Sequence, residues 1–373
     1  MAGNNHIFKE VKLMLGKLFA LSFMSLTGMA GILSCTRETL PEENKFNVSV
    51  VLDTKALDLN EVHDIAIYVF AQAASGKGYL AGYLYDDQPN AEGIFPITLT
   101  ESGAMDFYVI LNPNSNCFYF EDQEGNKVNI GDEPVPGITP EAIRGWKIVY
   151  ADNPPTDMES WQIPMSNLDG TSYGNRRFNI EATEGWQTIP ISVVRAVSKV
   201  EVWFRSDNDI SNNYWGISSL ESSDPVRSTG AFVETTEHLS QGENPKKFVH
   251  GTEHDRTNTN FPNIPDKSDY YSEKNFAKIF EYYTLPNTTG GNNAGAVAGT
   301  TDKNDCSSLN VDYYHNVRGN PTSSYSLTIY LPAYQRNTCI RVWCPLNNNE
   351  DNSFTYTVID WDETVTVNIP DFS

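Results

Sequence analysis

Short runs of alternating apolar and polar residues recur through most of this 373-residue chain, and that period of two is what any fold must satisfy. Successive side chains of a β-strand point to opposite faces, so such a run buries one face and wets the other. Phe46-Asn-Val-Ser-Val-Val-Leu52 alternates, and Asp64-Ile-Ala-Ile-Tyr-Val-Phe70 is dense in β-branched and aromatic residues. Residues 106–111, 188–194 and 197–204 continue the pattern, and residues 325–331, 339–343, 354–359 and 364–369 carry it to the C-terminus. Clusters of Asn, Pro, Gly and Asp separate the runs, as Asn112-Pro113-Asn114 does after Leu111. The expectation is an all-β chain of antiparallel sandwiches. Helical periodicity is confined to residues 140–144 and 271–278, a turn or two each.

The N-terminus breaks this pattern. Lys9, Lys12 and Lys17 stand against Glu10, a net of 3 − 1 = +2, and a largely apolar stretch from Leu18 to Leu33 follows. A basic segment followed by an apolar one of this length reads as a secretory signal, being too short and interrupted for a bilayer span. It ends in Ile32-Leu33-Ser34-Cys35, which looks like a bacterial lipobox, making Cys35 the candidate lipidation site. Residues 1–34 are then the lipoprotein signal peptide and residues 35–44 an acidic tether. The whole chain carries 26 Lys and Arg against 48 Asp and Glu, a formal charge of −22. Removing the +2 signal leaves −24, so the acidity belongs to the mature part. Such a surface repels phosphate backbones and disfavours nucleic-acid partners.

At about 150 residues per domain, the mature chain has material for roughly two. The expected boundary follows the 197–205 strand, giving domains at 45–207 and 208–373. Residues 206–305, rich in Asn, Ser, Thr, Asp and Gly, are expected to form long polar loops in the second. Besides Cys35 there are Cys117, Cys306, Cys339 and Cys344. Export permits disulfides, and four cysteines allow three pairings. Cys339 and Cys344 fall on opposite faces of one strand and are not expected to pair with each other.

Signals for catalysis are sparse. His250-Gly-Thr-Glu-His254 fits the letters of H-x-x-E-H, a zinc-peptidase pattern that needs both histidines on one helix face. Gly251, Thr252 and the Asn- and Thr-rich stretch behind them oppose a helix, and a solvated loop is the better reading. Asp152, Asp157 and Glu159, or Glu350 and Asp351, could be calcium ligands, but no twelve-residue ligand loop surrounds them. No phosphate-binding or dinucleotide fingerprint occurs. The expectation is a non-enzyme without metal or cofactor. Tyr270-Tyr271 and Tyr313-Tyr314 are the candidate exposed aromatics for sugar binding, whereas tryptophans within strands are expected in the core.

Several segments, in order along the mature chain, resemble those of the Bacteroidetes fimbrillins, the subunits of type V pili. They are Ile65-Ala-Ile-Tyr-Val-Phe70, Phe107-Tyr-Val-Ile-Leu-Asn-Pro113, Ile163-Pro-Met-Ser-Asn167 and Val194-Arg-Ala-Val-Ser-Lys-Val-Glu-Val202. Tyr282-Tyr-Thr-Leu-Pro-Asn287, Gln335-Arg-Asn-Thr-Cys-Ile-Arg341 and Ile359-Asp-Trp361 follow. Ser198 replaces the family's usual alanine, and the 282–287 segment lacks its glutamate. The resemblance implies two tandem transthyretin-like β-sandwiches on a surface lipoprotein of the outer membrane, assembled into a fimbrium. It makes Arg195, Lys199 and Arg336 fold-maintaining positions, where the bare sequence allows ordinary solvated charges.

The family's mechanism joins subunits by strand addition. A protease usually cuts after an arginine and removes the first strand, and the opened edge takes a strand from the next subunit. The resemblance makes Phe46, Val48, Val50 and Leu52 the candidate first strand and Val365, Val367 and Ile369 the candidate donor strand. Its partners would be other pilus subunits, the outer membrane through lipid on Cys35, and a host or bacterial surface ligand. After Arg37 the next arginine is Arg144, and Lys55 is the nearest basic residue behind the first strand. That favours a lipid-retaining anchor subunit over a stalk or tip adhesin. A surface glycan-binding lipoprotein is the alternative class.

Overall fold

The computed structural model describes residues 45–53, 61–72, 78–90, 92–155, 160–169, 176–183, 185–206, 213–240, 243–249, 254–255, 270–288, 305–318, 320–346 and 354–361. The first part of the chain forms β1 (Phe46–Asp53), β2 (Ile65–Gln72), β3 (Gly78–Asp86), β4 (Ile94–Leu99), β5 (Gly103–Leu111) and β6 (Phe118–Glu121). A one-turn helix, α1 (Pro140–Arg144), precedes β7 (Lys147–Tyr150), β8 (Met165–Ser166), β9 (Arg177–Ile180), β10 (Trp186–Ser192) and β11 (Val194–Arg195). The second part begins with β12 (Ser198–Ser206), β13 (Asn213–Asp224), β14 (Val226–Gly230), β15 (Thr236–His238), β16 (Lys246–Val249) and β17 (His254–Asp255). It ends with β18 (Ala277–Thr284), β19 (Ser308–Val317), β20 (Asn320–Tyr330), β21 (Thr338–Leu346) and β22 (Thr355–Asp360).

The all-β expectation holds. Two sheets enclose the first core: β10-β1-β4, and β11-β8-β5-β2-β3 with β9 beside β5. Val48, Val50 and Leu52 of β1 meet Ile65, Ile67 and Val69 of β2 and Phe107, Val109 and Leu111 of β5 there. The other face of β2 and β5 carries Ala66, Tyr68, Phe70, Tyr108 and Ile110, which pack on Phe118, Phe120, Trp146 and Ile148. The last four come from the sheet β15-β14-β7-β6 or its approach, so β2 is covered on both sides. That explains its nearly unbroken apolar sequence, since a strand buried on both faces has no solvent face to alternate with. Close layering has a local requirement at Gly82, where a Cβ would stand 2.5 Å from Leu99 Cδ2.

The second sandwich faces β18-β12-β21-β22 against β16-β13-β19-β20. Val200, Val202 and Phe204 oppose Trp215, Ile217 and Leu220 across a core shared with Ile340, Val342, Cys344, Leu309 and Val311. β12, which the sequence assigns to the part before residue 207, pairs with β18 and β21 of the later part. The core itself runs on from the β6–β7 sheet into this sandwich. One pairing scheme serves both ends of the chain. β1 lies between antiparallel β4 and parallel β10, as β12 lies between antiparallel β18 and parallel β21. β2 pairs antiparallel with β5, as β13 does with β19.

One local expectation is corrected. Residues 271–278 form bends and turns and then open β18, because Tyr271 and Phe276 fold onto Trp343 rather than onto a helix stripe. Strands β13 to β18 lie among the described residues of the 206–305 stretch. Helix α1 appears where expected, with Pro140 in its first turn and Thr139 Oγ1 accepting the Ala142 amide at 3.1 Å.

Candidate functional site: the first strand and its slot

β1 is the middle strand of its sheet. Its register runs from Asn47 opposite Trp186 to Asp53 opposite Ser192 on the parallel side, and from Phe46 opposite Leu99 to Val51 opposite Ile94 on the antiparallel side. Both rows of its backbone groups are therefore engaged. Val48 and Val50 are fully buried and Leu52 nearly so, while Phe46 packs at the core's margin. Full burial of a Val or Leu side chain contributes about 1.5–3 kcal/mol, so these three supply roughly 5–9 kcal/mol as an upper bound. That is comparable to the whole stability of a typical domain. A sheet emptied of β1 would hold an apolar slot with unpaired donors and acceptors on both walls. The two wall strands carry exposed prolines, Pro96 opposite Ser49 and Pro190 opposite Val51. Proline cannot donate to a ladder, and natural sheets use it to blunt edges.

The remaining fimbrillin-like segments converge on backbone junctions. Asn112 adopts φ 52° and donates through Nδ2 to Glu61 O at 3.0 Å and Ile163 O at 2.9 Å, while its Oδ1 accepts the His63 amide at 2.8 Å. Asn167 clamps β5, its Oδ1 accepting Val109 N and its Nδ2 donating to Phe107 O, both at 2.9 Å. The Arg195 guanidinium lies 4.7 Å from the Trp361 ring centre, Lys199 Nζ lies 5.2 Å from it, and Tyr283 stacks with that indole. Arg336 is buried and donates to Ala231 O, Gly230 O and Thr229 Oγ1. Burial lowers its pKa to about 10. The solvated reading of Arg195 and Arg336 is thus corrected: both are packed inside, Arg195 donating to Asn337 Oδ1 and Arg336 to the Ala231 and Gly230 carbonyls.

A junction that the sequence did not flag ties the β7 segment to the second part of the chain. Asp224 is buried and accepts from Tyr150 Oη at 2.6 Å, Thr284 Oγ1 at 2.7 Å, Val226 N at 3.0 Å and Ser307 Oγ at 3.2 Å. Tyr150 Oη in turn accepts the Leu285 amide at 2.8 Å. Burial holds the Asp224 carboxyl above the usual range, and the hydrogen bonds oppose that rise. Ser222-Ser-Asp-Pro225 reads as a turn, so nothing in the local sequence distinguishes this carboxylate.

Cys35, the acidic tether and the donor candidates Val365, Val367 and Ile369 lie outside the described residues, as do His250, Glu253, Asp157, Glu159, Glu350 and Asp351. The backbone of His254 opens β17 opposite Ile217. Cys117, Cys339 and Cys344 are buried thiols; Cys344 faces the second core, and Cys339 lies on the strand's other face. The aromatic pairs proposed as exposed platforms are corrected. Tyr313 and Tyr314 are buried, Tyr313 stacking on Tyr325, while Tyr270 and Tyr271 pack on Phe276. Trp146, Trp161, Trp203, Trp215 and Trp343 are buried as expected, and Trp186 at the start of β10 is exposed.

No family model matches the chain, and no curated protein does. Solved structures do match. A fimbrial protein from Bacteroides vulgatus aligns over 85% of this chain and 99% of its own, with 11% identity and a TM-score of 0.50. The tip fimbrial protein Mfa3 from Porphyromonas gingivalis aligns over 85% and 100%, with 14% identity and a TM-score of 0.44. A fimbrial assembly protein from Parabacteroides distasonis aligns over 85% and 96%, with 11% identity and a TM-score of 0.40. The chain shares its fold with the Bacteroides vulgatus fimbrial protein, in agreement with the resemblance to the fimbrillins read from its sequence.

Proposed function

We propose that this protein is a structural subunit of a cell-surface pilus, joined to its neighbours by strand addition and serving adhesion. The observation that carries the reading is β1, a terminal strand that sits in the middle of a sheet and fills one face of its core. A first strand at an edge would leave no slot behind it. Here the only vacancy β1 could leave has hydrogen-bonding walls on both sides and pockets for alternate apolar side chains. Strand addition uses those two features, backbone pairing for affinity and alternate pockets for specificity. Proline on both wall strands discourages growth of the sheet at its edges and leaves the β1 position as the place for exchange. The C-terminal Val365, Val367 and Ile369 have the alternation that such a slot accepts.

Within that assembly the subunit is the anchor, held in the outer membrane by lipid on Cys35; it keeps β1 in its own slot and joins its neighbour through its C-terminal strand. The support is the absence of arginine between Arg37 and Arg144, which denies an arginine-specific protease a cut just behind β1. Mass spectrometry of the surface-extracted protein is expected to find lipidated Cys35 continuous with residues 46–52. A mature N-terminus beyond Lys55 would refute the anchor role and make the protein a polymerising stalk or tip subunit. Retention of the full chain on immobilised polysaccharides, with no incorporation into pili, would instead favour a glycan-binding lipoprotein.

A further inference from the structure

Between α1, β2 and β5 lies a cleft of about 170 Å³, lined by Phe70, Asp106, Tyr108, Arg144, Arg176 and Arg177. Its polar wall is a ladder of alternating charges. Arg177 binds Asp106 through Nε at 2.8 Å and Nη2 at 3.0 Å, Arg176 approaches Asp106 and pairs with Asp169, and Arg144 Nε reaches Asp169 at 3.1 Å. Three guanidiniums thus share two carboxylates, in a chain whose net charge is −22. Glu141 stands exposed at the rim. Beneath the ladder the buried rings of Phe70 and Tyr108 meet edge to face at 5.7 Å. Helix α1 closes against the cleft because Gly78 has no side chain; a Cβ there would lie 2.6 Å from Pro140 Cγ.

One group lining the cleft is unsatisfied. Tyr108 is 1% exposed, and its hydroxyl has no hydrogen-bond partner. Tyr108 lines the cleft beside the ladder, with the Arg176 guanidinium 5.3 Å from its ring centre. A buried hydroxyl without a partner is a donor that a ligand atom in the cleft would satisfy.

We propose that this cleft binds one carboxylate-bearing sugar unit, a hexuronic acid. The volume is below the roughly 300–1,000 Å³ of pockets for drug-sized ligands, so it suits a single ring. Arg144 and Arg177 have half-exposed side chains and keep unused donors for a carboxylate, while Glu141, also in the lining, balances the third guanidinium. Each aspartate is already neutralised by arginines. It therefore offers lone pairs to hydroxyls rather than a site for an ammonium, which favours a sugar acid over an amino acid. The inference stands on the cleft alone and does not depend on strand addition.

The test is calorimetric titration of the full mature chain with sodium glucuronate, with glucose and sodium glutamate as comparisons. Glucuronate is expected to bind; glucose at least about tenfold more weakly, the worth of one charge-assisted contact, and glutamate more weakly as well because it lacks the ring hydroxyls. Tyr108→Phe is expected to weaken glucuronate about fivefold without lowering the melting temperature, because it deletes only an unsatisfied oxygen. Arg144→Gln, at an exposed position, is expected to weaken it about tenfold. Absence of glucuronate binding overturns the proposal. So does equal binding of glucose, which would make the carboxylate irrelevant, or of glutamate, which would make the sugar irrelevant. Unchanged affinity in both variants would locate the binding elsewhere and overturn it as well.

Discussion

Replacing Tyr150 by phenylalanine removes one oxygen and leaves two buried partners behind. Asp224 loses its shortest hydrogen bond, at 2.6 Å, and the Leu285 amide loses its acceptor at 2.8 Å. A hydrogen bond to a charged group contributes about 1.5–3 kcal/mol, and a buried N–H left unpaired costs about 1–3 kcal/mol. Together they predict a loss of about 3–5 kcal/mol at neutral pH, measurable by urea unfolding of the mature chain. The pH dependence is the sharper part. Burial raises the Asp224 carboxyl pKa in the folded protein, against the hydrogen bonds that lower it. The native state then holds a proton that the unfolded chain releases. Stability from this group is full below the ordinary aspartate range and is lost as pH rises through the raised value. Deleting the Tyr150 hydroxyl removes one of the lowering contacts and pushes the carboxyl higher still. The variant should therefore be penalised more at pH 7 than at pH 4. An equal penalty at both pH values, or one under about 1 kcal/mol, would refute the reasoning that this junction is a buried, charge-bearing weld.

Trp361→Ala should destabilise the chain by about 2–3 kcal/mol, because it strips the aromatic face under both Arg195 and Lys199 and the partner of Tyr283; Arg195→Lys should retain part of that stability in the same unfolding assay. Cys117, Cys339 and Cys344 should resist iodoacetamide at pH 8 in the native protein and react once it unfolds, read by intact mass. Burial pushes the Cys117 and Cys339 thiols up to about 12 and raises Cys344 as well, so little nucleophilic thiolate is present.

How much of this was legible beforehand follows from which faces are buried. β1 reads plainly because it has one core face and one other, and β2 because both of its faces are apolar. β13 does not. Its core residues Trp215 and Ile217 are followed by Leu220, since a register shift against β19 between Ile217 and Ser219 breaks the period of two. With serines filling the other positions, the strand looks like loop. The buried roles of Arg336 and Asp224 depend on partners far away in sequence, such as Gly230 and Tyr150, which no local pattern announces. Resemblance to the fimbrillins marked Arg336 as structural; nothing marked Asp224. The cleft between α1 and β5 was likewise illegible, being assembled from residues 70, 108, 144 and 176–177.

The proposed strand addition requires β1 to be a replaceable plug in a two-walled slot. The direct measurement is to place a specific protease site within residues 54–60, cut the folded chain, displace the freed strand with mild denaturant, and add a fluorescent peptide of residues 362–373. The cut protein should release a fragment containing residues 46–52 and capture the peptide with a rise in anisotropy and melting temperature, while the uncut protein captures none. A cut protein that stays folded without its strand yet ignores the peptide would contradict the account, as would equal capture by the uncut chain.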